Sequence, residues 1–146
     1  MRIYLDNCCF NRPYDSQEQL QVAMETQSKL HIQSRVKNGE LELVDSYILN
    51  YENSCNPFEM RRQAIAEFLQ KYAAFYVGPE RDGAITDKAL EIMKNGIKEK
   101  DAFHVSAAIY SKCDYFITTD RRLLKYKTKE VKIVSPIEFI VETEDE

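Results

Sequence analysis

The stretch that most constrains the fold runs from Lys100 to Leu124, KDAFHVSAAIYSKCDYFITTDRRLL. It reads as an amphipathic helix, a short connection, a strand of aromatic and β-branched residues (YFIT, 115–118) and the start of a second helix. Two acids mark its joints: Asp101 opens the first helix, and Asp120 stands where the strand runs out. The start of the chain repeats the arrangement, with RIYL as a strand and Asp6 at its end. Open α/β sheets bind ligands at the carboxyl ends of their strands. Two acids at two such ends point to a metal-assisted site.

The rest of the chain supports the same architecture. After Asp6, a loop around Asn11-Arg12-Pro13 is expected beside the mouth of the site, with Arg12 either meeting a phosphate or facing solvent. Asp15-Ser-Gln-Glu18 resembles a capping box for a long helix that ends before Asn38-Gly39, with Leu20, Met24, Leu30 and Val36 as its core stripe. ELELV (40–44) alternates like a strand. Ser46 is the expected N-cap of a helix on which Glu52 has Ile48, Leu49 and Cys55 as helical neighbours, so its carboxylate lies on the inward side. Asn56-Pro57-x-Glu59 opens another helix, carrying Ile65, Phe68, Leu69 and Tyr72 inward and the pair Arg61-Arg62 near its beginning. A strand at Phe75–Val77 and a helix over 84–95, closed by Gly96 and with Leu90, Ile92 and Met93 as apolar positions, precede the opening stretch. VKIVS and PIEFIV end the fold as strand and helix. Alternation of this kind predicts an α/β three-layer sandwich, a central parallel sheet flanked by helices. Right-handed crossovers gather the strand ends on one edge. Residues 1–141 are expected to form a single domain and 142–146 an acidic tail.

Composition bears on what such a chain meets. Its 44% hydrophobic and 30% charged residues are those of a globular protein. No apolar run approaches a membrane span and no signal-peptide pattern opens the chain, so a cytoplasmic protein without a membrane partner is expected. The net charge of −4 does not exclude nucleic acid. Setting aside the four acids of the last five residues and the four site candidates leaves 16 acids against 20 bases, a net +4. The four cysteines (Cys8, Cys9, Cys55, Cys113) lack zinc or redox spacing and are read as small core residues.

Carboxylates gathered without matching lysines or arginines repel one another, and a hard divalent cation resolves the conflict. Mg²⁺ or Mn²⁺ takes oxygen ligands and activates water against a phosphodiester. Thr118 and Thr119 offer hydroxyls beside Asp120, although a β-branched residue at a strand end also serves the core. His104 follows Asp101 by three residues on the same helix face. In a carboxylate site its imidazole is expected to pack or hydrogen-bond rather than to ligate.

Four segments in order, IYLDN, SYILNYE, DAFHVSAA and FITTDRRLL, span nearly the whole chain. On them the chain resembles the PIN domain, the nuclease fold that includes VapC-type toxins of bacterial toxin–antitoxin pairs. The resemblance implies Mg²⁺- or Mn²⁺-dependent RNA hydrolysis by a quartet falling on Asp6, Glu52, Asp101 and Asp120, with Thr118 in the family's Thr-x-Asp. It implies an RNA substrate and leaves an antitoxin protein and a homodimer open as partners. The chain departs from the pattern after the first acid, where Asn7-Cys8-Cys9 replaces a small hydroxyl residue followed by Asn; Asn7 can still donate a hydrogen bond, and Cys8 is read as a spacer. Phosphate contacts are expected from Arg61, Arg62, Arg121 and Arg122, with Arg12 as a further candidate.

Two other readings compete. A dehalogenase-like phosphatase needs a second Asp two residues after the first, where Cys8 stands, and a receiver domain needs paired acids after the first strand and a late lysine. A PIN-like scaffold that binds without cutting would show a lysine or arginine side chain filling the acid site.

Overall fold

Ile3, Tyr4 and Leu5 are fully buried, and a strand without a polar face belongs at the centre of a parallel sheet. In the computed structural model, which describes residues 1–144, β1 (Arg2–Leu5) takes that place. It is followed by α1 (Asn7–Asn11), a 3-10 turn (Arg12–Tyr14), α2 (Leu20–Lys37), β2 (Glu42–Ser46), α3 (Tyr47–Ser54), α4 (Glu59–Tyr72) and β3 (Ala73–Val77). Then come α5 (Asp82–Met93), α6 (Glu99–Tyr110), β4 (Tyr115–Ile117), α7 (Arg121–Leu124), β5 (Lys132–Val134) and α8 (Pro136–Glu144). The sheet is parallel throughout, in the order β3-β2-β1-β4-β5, with helices flanking it in three layers as expected.

That order positions the site. The chain builds outward from β1 to β3, then returns to lay β4 on the other side of β1. The reversal leaves a crevice between the ends of β1 and β4, the place where such sheets bind ligands. The register pairs Leu5 with Ile117, and the Asp6 amide donates to the Ile117 carbonyl (2.9 Å). Asp6 and Asp120 therefore leave adjacent strands at the same edge.

Several local expectations change. The segment after Asp6 is helical, not a loop. The capping box at Asp15–Glu18 is not used: α2 begins at Leu20 without a side-chain cap. Its buried stripe is Glu25, Lys29, Ile32 and Val36, at helical spacing, while Leu20 (74% exposed), Met24 and Leu30 face outward. The inward charges are compensated: Arg12 reaches Glu25 (3.0 Å), and the Lys29 ammonium bonds Gln33 (2.5 Å) and lies over the Phe10 ring. α2 does end where expected, with Gly39 at φ +78 allowing the turn. α4 starts at Glu59, because the Asn56 side chain accepts from the Phe58 amide in a turn instead of capping the helix. Leu90 is exposed; Ile85, Ala89 and Ile92 form the inner face of α5. Cys55 is exposed and not a core residue. α8 continues through Glu144, with Glu142 bonded to Lys132 and Glu144 to His31; Asp145 and Glu146 lie outside the described residues. No helix among the described residues is long and apolar enough to cross a membrane.

Candidate active site at the carboxyl edge of the sheet

Asp6 is buried at the end of β1 and held through both oxygens. Its Oδ1 accepts from the Asn7 amide (2.8 Å); its Oδ2 accepts from the Thr118 hydroxyl (2.8 Å) and, more weakly, from the Cys8 thiol (3.5 Å). The same Thr118 oxygen accepts from the Asp120 amide (3.1 Å), which ties the ends of β1 and β4 together. Asp120 caps α7, its Oδ1 accepting from the amides of Arg122 (2.9 Å) and Leu123 (3.4 Å). Thr119 is buried and bonds Cys8 only through its backbone amide, the core role that a β-branched residue fills there.

Glu52 comes in from α3, whose start is fixed as expected by Ser46: its Oγ accepts from the Leu49 amide (3.0 Å). The carboxylate meets His104 Nε2 (2.7 Å) and Lys100 Nζ (3.0 Å), both from α6. This corrects the expectation of acids without basic partners. Burial pushes the Glu52 carboxyl up, but His104 and Lys100 outweigh it and hold the group at about 2. Asp101, in the first turn of α6, behaves in the opposite way. Burial, then the charges of Asp6 and Asp120 and more weakly of Glu52, lift it to about 6, against a smaller opposing pull from His104. Asp101 thus feels the other three acids, two of them at strand ends and one on α3.

His104 is 1% exposed and hydrogen-bonded on both nitrogens. Its Nε2 faces Glu52, and its Nδ1 lies 2.6 Å from the Tyr4 hydroxyl, itself 2.8 Å from Ser46 Oγ. A carboxylate can only accept, so Nε2–H donates to Glu52, and Nδ1, the Tyr4 hydroxyl and Ser46 Oγ continue the chain of hydrogen bonds. Burial holds the Tyr4 phenol well above its usual value, which keeps it a donor. One ligand atom each from Asp6, Glu52 and His104 lies within 4.8 Å of the other two. With both ring nitrogens already engaged, His104 acts through Glu52, the hydrogen-bonding role expected of it.

Tyr4, Ser46, Cys8 and Lys100 belong to this site and were missed in the sequence. Only Tyr4 carried a signal: a tyrosine in a fully apolar strand needs a buried partner for its hydroxyl.

The basic candidates divide. Arg12 is engaged with Asp15 and Glu25, Arg62 donates to the Asn56 carbonyl, and Arg61 is stacked against Phe58 and Tyr14. Arg121 is exposed at the start of α7. Arg122 lines a cleft of about 450 Å³ with Asp101 and Asp120 at one end and Lys98, Lys125, Tyr126 and Lys127 along it. Among the described residues no carboxylate lies within 4.0 Å of these four cations. The sequence signal for this cleft was the run KYK directly after α7.

No family model matches the chain, and no curated protein matches it. Among solved structures the fold is similar to the crystal structure of FitAcB from Neisseria gonorrhoeae, with a TM-score of 0.56 and 17% sequence identity over 92% of this chain and 98% of that chain. At that identity the likeness shows the fold, a three-layer α/β sandwich, and nothing finer.

Proposed function

We propose that residues 1–141 act as a divalent-metal-dependent endoribonuclease domain, with Asp6, Glu52, Asp101 and Asp120 as the catalytic, metal-holding quartet. The observation that carries this reading is the gathering of carboxylates at the switch point of the sheet: Thr118 ties Asp6 to Asp120, Glu52 offers a ligand atom within 4.8 Å of one from Asp6, and Asp101 is lifted in part by the other three. The residues suit Mg²⁺ or Mn²⁺: the donors are carboxylate oxygens, and the buried Asn7 Oδ1 beside Asp6 has no hydrogen-bond partner, leaving an acceptor for a coordinated water. When bound, such an ion supplies charge neutralisation and an activated water for phosphodiester attack.

The chain's own residues do the remaining work. Thr118 fixes the Asp6 and Asp120 ends relative to each other, His104 and Lys100 orient Glu52, and the α7 amides orient Asp120. Lys98, Arg122, Lys125 and Lys127 would bind phosphates on one side of the acids without reading sequence. A non-cleaving scaffold has one observation in its favour, the Lys100–Glu52 pair. Yet the Lys100 side chain is 65% exposed, and among the described residues Asp6 and Asp101 form no ion pair with any cation.

The motif resemblance extends the reading to the toxin of a cytoplasmic toxin–antitoxin pair, which co-expression with a candidate antitoxin encoded beside it would test by rescue of growth. The primary test is incubation with total RNA and Mg²⁺ or Mn²⁺, mapping the cut ends. Cleavage abolished by EDTA and leaving 5′-phosphates is expected. EDTA-resistant cutting would overturn the reading, and so would 2′,3′-cyclic phosphate ends, which show that the RNA's own hydroxyl attacks.

A further inference from the structure

On the other side of the acids from the basic cleft lies a groove of about 520 Å³ between α3 and α6. Tyr47, Ile48, Tyr51 and Phe103 line it together with Glu52, Glu99 and Lys100. We propose that this groove is a base-stacking subsite, in which one unpaired RNA base lies on Tyr51 and Phe103; the proposal rests on the nuclease reading and names its substrate as single-stranded RNA.

The first turn of α6 divides the two surfaces. Lys98 and Asp101 line the cleft, whereas Lys100 and Phe103 line the groove. The quartet is divided in the same way, with Asp101 and Asp120 at the cleft and Glu52 at the groove. A strand that crosses the acids therefore meets four cations on one side and aromatic rings on the other. Phosphates suit the first surface. The second offers them one lysine, already paired with Glu52, and an additional carboxylate from Glu99. A base suits it, because every base has a face to stack and little charge to desolvate.

Phe103 is partly buried against the core and leaves part of its ring in the groove. Tyr51 is 73% exposed on a helix, with no packing role to explain it. Tyr47 is held by its hydroxyl, which donates to Asp82 Oδ1 (2.6 Å). A duplex cannot use this surface, since its bases are already paired and stacked; an unpaired strand can.

The test uses the full chain and a short single-stranded RNA carrying one 2-aminopurine and an end label, in EDTA and in Ca²⁺, with an abasic copy as control. Binding to wild type should quench the 2-aminopurine, and Tyr51→Phe should preserve the quench. Tyr51→Ala should abolish it and weaken binding at least about fivefold, the lower end for removal of a stacking ring. Affinity for the abasic strand should be equal in wild type and Tyr51→Ala. If wild type cuts RNA but Tyr51→Ala binds and quenches equally well, the subsite is refuted and the nuclease reading stands. If wild type neither binds nor cuts RNA, both fall. Sedimentation of the same proteins covers the remaining occupant: a dimer that Tyr51→Ala converts to a monomer would make the groove an interface between copies and overturn the proposal.

Discussion

Glu52 is held by two partners of unequal weight, His104 and Lys100. His104 is buried and bonds both Glu52 and Tyr4, whereas Lys100 pairs with Glu52 from an exposed position. Removing a buried partner leaves polar groups unsatisfied at about 1–3 kcal/mol, and an exposed pair contributes about 0–1 kcal/mol. His104→Ala should therefore lower the melting temperature and reduce kcat with KM little changed, as Glu52 loses its orientation. Lys100→Ala should leave the melting temperature within about a degree. Equal thermal shifts for the two variants would contradict this division. A second buried acid lies away from the quartet: burial lifts Asp45 to about 6, and the Ser46 amide and Asn50 only partly oppose the lift. A folded pKa above the unfolded one means that the charged form weakens the fold above about pH 6, and that the penalty fades as the pH falls toward 4. Asp45→Asn should raise the urea midpoint at pH 7.5, by about 2 kcal/mol of stability, and much less at pH 4.5. An equal gain at both values would mean that the charge is not the cause.

The elements differ in how far their composition announced them. Strands β1 and β4 were legible because burial on both faces demands unbroken apolar residues, and the Ser46 cap because its hydroxyl has one local use. Helix α2 was not: its inward stripe contains Glu25 and Lys29, and the residue that makes Glu25 tolerable, Arg12, comes from another element. Letters alone put Leu20, Met24 and Leu30 inside. The same distinction separates two kinds of basic residue. Arg12→Ala would leave Glu25 buried and unpaired, at a cost of about 3–5 kcal/mol, and should unfold the protein at markedly lower urea. Lys125→Ala with Lys127→Ala, at the exposed cleft, should leave the urea midpoint unchanged. That double variant should instead flatten the salt dependence of RNA binding by about 0.7 for each phosphate that is no longer neutralised, about 1.4 in all. A stability loss for the lysine pair, or a salt effect confined to Arg12→Ala, would reverse these roles.

At the scale of the molecule, strand order does what no single motif can. Asp6 and Asp120 lie far apart in sequence, and they become neighbours because β4 returns to the free side of β1. The alternation of elements predicted the parallel sheet and its carboxyl edge, so that all four acids could be assigned to one place. It could not predict that α6 would supply a cation to Glu52, because a lysine beside Asp101 reads as surface charge until α3 is packed against it. The consequence is that strain in the metal-free site is concentrated on Asp101, the acid lifted to about 6 by burial and by Asp6 and Asp120. Two effects oppose each other in Asp101→Asn. Losing an acid from the first turn of α6 costs about 0.3–1 kcal/mol. Removing a charge that burial first, and then Asp6 and Asp120, disfavour gains up to about 3 kcal/mol from the size of the shift, reduced by solvent at a half-buried group. The second effect should win by about 1 kcal/mol, raising the melting temperature without metal at pH 7.5. The same change removes a ligand, so Mn²⁺ should stabilise the variant much less than wild type, because stabilisation by a ligand follows its affinity. One thermal series with and without Mn²⁺ measures both. A variant less stable than wild type without metal, yet equally stabilised by it, would make Asp101 a structural acid and remove it from the quartet.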